Sequence, residues 1–455
     1  MLEDKNNRSK KDFISILSDW SENYIPNAFP LVLILTVLVI IAARILTPST
    51  VFSIMGNWYD GFWEMLLFTM QVCLLMFTGY MVSDARPVKR IFQKLSKLPK
   101  TKVQAVLFFL FFETVLYYLH FALGIAGAIF MGKTLIVEQK KKGIYLPVNL
   151  VVSIGCFCLI FQAGPTAGSP LLVASKGHFM EEVTGIIPIS ESMLSLPMIC
   201  MNLTIAAALF LVCLWLVKRD IITEDEKKIV DSYAVEPIRE SASDYRNFSE
   251  KMDHFPYAQM FLGVVGLGIF FIKAVENGVG AISLNSVNFL FLMLALVLHR
   301  DPTEIAKSAR AATSSISGVI LQYPFYAGIF GILNYSGLGA ILIHAFVSIT
   351  NPRFYTVVVF IFSGLLNMIV PSGGSQFIVE APYIMPAAAD MGVSLTYVLN
   401  AFTIGDLSTN LIQPFWAIPV LAAFKIRFKN IFPYCIIAFI TSFIIICLYF
   451  LLWMY

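Results

Sequence analysis

Charge is what this chain of 455 residues has little of: Asp, Glu, Lys and Arg together make 13% of it, against 58% hydrophobic residues. Its mean hydropathy is +0.77. Too few charges exist to cover a water-exposed surface, which excludes a soluble globular protein. The apolar runs also lack alternation, since stretches such as 30–43 and 431–454 are continuous. Membrane β-barrel strands alternate apolar and polar positions, so that class is excluded and bilayer-crossing helices remain. The net charge of +3 decides nothing, because charge sits almost wholly between the runs. Catalytic signatures are missing as well. No His-Glu-x-x-His occurs, and Thr403 breaks the Gly-x-Gly-Asp pattern of intramembrane aspartyl proteases. The other aspartate that such chemistry would need, Asp60, falls in a segment read as an external loop. Cys156 and Cys158 have no second cysteine cluster or nearby histidine, and all seven cysteines lie within apolar runs as packed thiols. No enzyme, metal site, cofactor or nucleic-acid partner is expected.

What is present is a series of runs long enough to span, about 20 residues for about 30 Å. They are 28–46, 62–83, 146–175, 198–217, 257–275, 284–299, 316–347, 395–424 and 431–453. The first run begins only near Ala28, which does not fit a cleavable signal peptide. Before it, Phe13, Ile16, Leu17, Trp20 and Tyr24 recur at helical spacing, so 12–24 reads as an amphipathic helix on the cytoplasmic surface and 1–27 as cytoplasmic. Segment 84–102 holds seven Lys/Arg and no positive charge interrupts 47–61. The positive-inside rule then puts the former inside and the latter outside. Run 103–131 has Lys-rich sequence on both sides and must return to the side it left, as an inner hairpin. By parity 354–390 is an outer hairpin. The fold expected is all-α, about nine transmembrane helices plus two opposed re-entrant hairpins. Two halves, 28–217 and 284–455, then form an inverted repeat. They are joined by the mixed-charge cytoplasmic linker 218–256, with ten acids and seven bases, and a connecting helix and loop at 257–283. Asp301-Pro302-Thr303-Glu304 carries the signals of a short surface helix. Pro324 is the expected bend in 316–347.

Candidate binding residues lie where polar and helix-breaking residues interrupt apolar sequence. One cluster is 162–170, with Thr166, Gly168 and Ser169. A second is the outer hairpin tip, Ser372, Gly373, Gly374 and Ser375. The third is 405–414, with Ser408, Thr409, Asn410 and Gln413. Backbone broken at membrane depth is tolerated where it lines a cavity or is buried in protein. A helix that starts there offers unpaired N–H groups and a positive dipole end, which together hold an anion. No Lys or Arg occurs in 103–132, 146–175 or 354–424. That absence favours a small monocarboxylate over a dicarboxylate or citrate. Asp406 is the foremost candidate for a coupling ion, Na⁺ or H⁺, with a structural hydrogen bond as its alternative role. Glu113 and His120 could pair in the inner hairpin and serve the same end, although a packed histidine is the commoner case. Glu380 is read as solvated near the external surface. Tyr323 and Tyr326 either line the cavity or pack.

These segments carry a resemblance. Asn57–Trp63, Leu321–Ile329, Tyr335–Gly339, Asn367–Pro386 and Gly405–Pro419 occur in the order seen in the short-chain fatty acid transporter (AtoE) family, and the likeness runs from about 20 to 453. Two departures stand out: 162–168 is less glycine-dense than the family pattern, and Glu380 stands where a neutral residue is usual. The resemblance implies uptake of small carboxylates such as butyrate or acetoacetate across the bacterial plasma membrane. More distantly, the chain is similar to aminobenzoyl-glutamate transporters, which implies nine spans, two opposed hairpins and an elevator-like shift of one domain. A transporter of another small organic anion (a C4-dicarboxylate or aminobenzoyl-glutamate-like molecule) and a channel are the alternatives. The partners expected are the carboxylate and the bilayer, with a homodimer left open.

Overall fold

The computed structural model describes residues 28–219, 222, 224–233, 247–368 and 370–454. The expected surface helix at 12–24 and part of the linker lie outside the described residues. Among these residues the secondary structure is helical throughout. Eight helices are long and apolar enough to cross a membrane, or nine if the sharply bent pair Leu338–Ile349 and Pro352–Asn367 is one span. The molecule is therefore an all-α, multi-pass membrane protein.

Local sequence sets most helix limits. Thr50, Thr101 and Asp301 each accept a backbone N–H at the start of Val51–Glu64, Lys102–Leu119 and Pro302–Tyr335. Three sequence expectations are corrected here. Segment 47–61 is mostly helix, because the Thr50 cap starts Val51–Glu64, and Asp60 lies within that helix. The Asp301 cap opens a helix of 34 residues rather than a short surface one. That helix passes through Pro324 unbroken and stops at Tyr335, after which Gly337 (φ 85°) turns the chain into Leu338–Ile349. The expected bend is thus displaced to the one residue able to take the left-handed turn cheaply.

The helices pack as two sets. In one set, Ala28–Leu46, Val51–Glu64 and Leu66–Asp84 lie against Pro302–Tyr335, and Tyr257–Asn277 packs on Leu284–Leu298. Val51–Glu64 meets its partner backbone to backbone. A Cβ built on Gly61 would lie 2.6 Å from both the Ala327 carbonyl and the Gly331 Cα. Small residues permit such approach where lipid supplies no hydrophobic drive between helices. Polar ties reinforce this set: Gln71 Nε2 donates to Asn285 Oδ1 (2.8 Å), and Asn288 Nδ2 donates to the Gln71 carbonyl (2.8 Å). At one end Arg86 pairs with Glu304, and His299 Nε2 lies 2.9 Å from the Met81 carbonyl.

The other set holds two helical hairpins and two interrupted helices. The first hairpin folds at His120, and its arms ladder past one another. Tyr117 faces Gly124, Leu116 and Glu113 face Gly127, and Phe109 faces Gly132. Its second arm continues through a π turn at Gly127–Met131 to Lys141, so it is ten residues longer than 103–131 allows. In the second hairpin, Tyr355–Asn367 and Gly373–Asp390, Tyr355 Oη donates to the Ile384 carbonyl (2.7 Å). Val148–Phe157 passes into a 3₁₀ turn ending at Gln162, and helix resumes at Gly168–Val173. Leu395–Thr409 likewise stops, and helix resumes at Ile418–Phe424. Leu395–Thr409 packs along Tyr355–Asn367, with Gly405 against the Phe360 carbonyl.

Candidate functional site

The turn between the arms of the second hairpin meets both interrupted helices. Helix Gly373–Asp390 starts inside the protein with Ser372 as its N-cap, and the Ser372 side chain accepts no N–H there. The first turn's N–H groups, on Gly373, Gly374 and Ser375, donate to no described group, whereas Gln376 N–H reaches the Ser372 carbonyl. Three donors therefore point out of a helix end with a positive dipole. Ser372 Oγ lies 3.2 Å from Tyr323 Oη, and Ser375 Oγ donates to Ser372 Oγ at 3.2 Å. From the first interrupted helix, Ser169 Oγ donates to the Gly373 carbonyl (3.2 Å). From the second, the Asp406 carboxylate arrives beside Gly373, where a Cβ would sit 2.7 Å from Oδ2. Asp406 is buried, and its Oδ1 has no hydrogen-bond partner among the described residues. Ser372, Gly373 and Gly374 keep some exposed surface, so the helix start borders an opening.

A second knot holds the backbone break of Leu395–Thr409 in shape. Asn367 Nδ2 faces the Asp406 carbonyl (2.7 Å), Thr409 Oγ1 (2.8 Å) and Asn410 Oδ1 (2.8 Å). Two hydrogens serve three acceptors, so one bond is shared. Gln413 Nε2 donates to the same Asn410 oxygen at 2.5 Å. Sequence reasoning does not place Asn367 among the candidate residues. Its signal was available: it is the last strongly polar residue before the hairpin turns at Pro371. Asn202 does the equivalent at the first interruption, donating to the Ala163 carbonyl (2.8 Å).

Ser408 Oγ, by contrast, donates to its own helix, at the Gly405 carbonyl. Thr166 Oγ1 donates to the Leu119 carbonyl (2.9 Å), which ties the first interruption to the turn of the first hairpin. Gly168 borders open space. Glu113 and His120 do not pair, which corrects the sequence expectation. His120 caps the second arm by accepting the Ala122 N–H at Nδ1, and its ring lies against Phe121 and Phe291. Glu113 points across the hairpin at Gly127, and neither of its oxygens has a hydrogen-bond partner among the described residues. Glu380 is fully buried rather than solvated, a second correction. Ser363 of the opposite arm donates to its Oε1, and Gln376 Nε2 donates to Oε2 at 2.8 Å. Gln376 also reaches the Ser363 carbonyl (2.7 Å), so the carboxyl belongs to a bridge between the hairpin arms. Tyr323 and Tyr326 are both buried, and Tyr323 reaches the site. Among the described residues no group of three or more His, Cys, Asp or Glu could hold a metal ion.

The family model for short chain fatty acid transporters matches residues 11–453. A relative from Escherichia coli (strain K12), described as a "putative short-chain fatty acid transporter", is 30% identical over 92% of this chain and 94% of its own length. One from Haemophilus influenzae with the same description is 29% identical over 96% of this chain and 98% of its own. Among solved structures, the YdaH transporter of Alcanivorax borkumensis superposes with a TM-score of 0.56 at 13% identity, over 93% of this chain and 98% of that one. MtrF of Neisseria gonorrhoeae, described within a class of antimetabolite efflux pumps, gives 0.59 at 15%, over 96% and 97%. At those identities the likeness is one of fold.

Proposed function

This chain belongs to the short-chain fatty acid transporter family, and from that premise we propose that it takes up small monocarboxylates such as butyrate or acetoacetate by symport with H⁺ or Na⁺. The observation that carries the reading is the start of helix Gly373–Asp390. There the N–H groups of Gly373, Gly374 and Ser375 donate to no described group, the Ser372 and Ser375 hydroxyls stand beside them, and Lys and Arg are absent from 354–424. Such an end suits one carboxylate. A second carboxylate on the same ligand would lack a cationic partner, which disfavours dicarboxylates.

Asp406 supplies the reason for coupling. Its carboxylate occupies the same helix end that the substrate's would need, and two like charges a few ångströms apart in a poorly solvated site disfavour joint ionisation. A proton on Asp406, or a Na⁺ between it and the backbone oxygens of the interruption, removes that repulsion. Cation and substrate therefore bind together. The two helix sets supply the motion in this reading. The set bearing the hairpins carries the site past the set bearing Pro302–Tyr335, with the hairpins entering the plasma membrane from opposite faces and the N-terminus cytoplasmic. A channel needs no such pairing of cation and anion.

The test is uptake of radiolabelled butyrate, acetoacetate and citrate into proteoliposomes, with Na⁺ and pH gradients imposed separately. Saturable accumulation of the two monocarboxylates under one gradient is expected. Accumulation of citrate alone, or flux that follows the substrate gradient under every condition, would overturn the proposal. Ser372→Ala and Ser375→Ala are each expected to raise KM severalfold with expression intact, as loss of one hydrogen bond to a charged group implies.

A further inference from the structure

We infer that Phe68, Phe179 and Tyr323 wall a subsite for the substrate's alkyl tail and so set the length of acid the protein accepts. The inference rests on the monocarboxylate reading and names what lies beyond the carboxylate. Tyr323 touches the helix start with its hydroxyl, at Ser372, and its ring leads away from there. A Cβ on Gly374 would run into Tyr323 Oη and come within 3.4 Å of Phe68 Cζ. The rings of Phe68 and Tyr323 are 6.0 Å apart, and Phe179 follows at 6.3 Å from Phe68. Behind Phe179 stand Phe330 at 5.2 Å and Phe377 at 5.7 Å. Four of these five rings are buried. Phe179 alone keeps surface, and it alone stands outside a helix, between Gly168–Val173 and Glu181–Thr184.

Ring clusters of this kind are ordinary core packing in most helical membrane proteins, so position decides the matter. This one begins at the residues that border the unengaged N–H groups, and it contains no charged group. A carboxylate seated at Gly373 has its apolar end against the rings. Each methylene covered there strengthens binding about fourfold, equivalent to about 0.8 kcal/mol. Phe179, backed by Phe330 and Phe377, stops longer chains, and a second carboxylate at the tail's far end would meet only ring faces.

The test is competition against radiolabelled butyrate uptake in proteoliposomes holding the full chain, using unlabelled acetate, butyrate, hexanoate and succinate. Apparent affinity should rise about fourfold per methylene from acetate to butyrate and fall at hexanoate, and succinate should compete poorly. Phe179→Ala should raise the affinity for hexanoate relative to butyrate at least fivefold. Phe68→Leu, a milder change in volume, should move the same ratio in the same direction and guards against a folding defect in the first variant. A ratio of affinities is insensitive to the amount of folded protein, so a purely packing role would leave it unmoved. An unmoved ratio in variants that still take up butyrate overturns the tail subsite alone. A wild type that takes up none of these acids overturns it together with the functional reading.

Discussion

Asp406 shows what a single acid contributes at a helix end. Asp406→Asn keeps the size of the side chain but removes both the proton site and the anionic oxygens. Gradient-driven accumulation should fall at least tenfold, while exchange of labelled for unlabelled substrate persists. Full accumulation by the variant would reassign Asp406 to structure. Gly373 offers a complementary case. Because an added Cβ would meet Asp406 Oδ2 at 2.7 Å, Gly373→Ala should displace the carboxylate or the helix start and raise KM about tenfold. Direct uptake kinetics at matched expression would check it. Asp406 was legible in sequence because an acid at bilayer depth is costly, and this one stands amid polar helix breakers. Glu380 was misread for a reason of the same scale. Eight residues at 1.5 Å each put it about 12 Å from the hairpin tip, near one surface, but spacing along a helix says nothing about which face is covered. Ser363 and Gln376 cover that face.

At the scale of elements, the interruptions in helices 395–409 and 148–162 were readable from Pro, Gly and amide residues inside apolar sequence. What fastens them was not, because Asn367 and Asn202 are distant in sequence from the carbonyls they serve. Asn367→Ala strips three acceptors of a shared donor. The variant should lose on the order of 1–3 kcal/mol of stability, seen as a lower thermal midpoint in detergent, and transport more than tenfold. Asn367→Asp should not rescue it, since a carboxylate brings acceptors where donors are needed. The first hairpin was legible as a reversal of the chain, from the Lys-rich sequence on both of its sides. That His120 caps it, instead of pairing with Glu113, follows from the ring being boxed in by Phe121, Phe291 and Gly79.

For the whole molecule, the helical class and the position of nearly every apolar run followed from composition and length. The assembly into two sets did not, because lipid-facing and protein-facing surfaces are equally apolar. One end of the assembly carries a cluster that answers to acid. Burial of Asp301 alone would raise its carboxyl, but Thr303, His254 and the Glu304 N–H outweigh it and hold the group below 3.8. A depressed carboxyl stabilises the fold at pH values above that of the unfolded chain and stops doing so as pH falls through the folded value. Asp301→Ala should therefore cost about 1–2 kcal/mol at neutral pH, and the gap to wild type should close only below pH 3.8. Thermal midpoints across an acid series would show whether it does.

The contact of Gly61 with Gly331 bears on how the protein is made. Val51–Glu64 leaves the ribosome well before Pro302–Tyr335, the surface it is shaped to meet. At roughly 5–20 residues per second the delay is on the order of ten to fifty seconds. Through that interval a helix carrying Asn57, Asp60 and Glu64 must wait in or at the bilayer with its mate still unsynthesised. Insertion machinery that shelters half-polar helices, and proteases that remove those left waiting, would act on this chain at that stage.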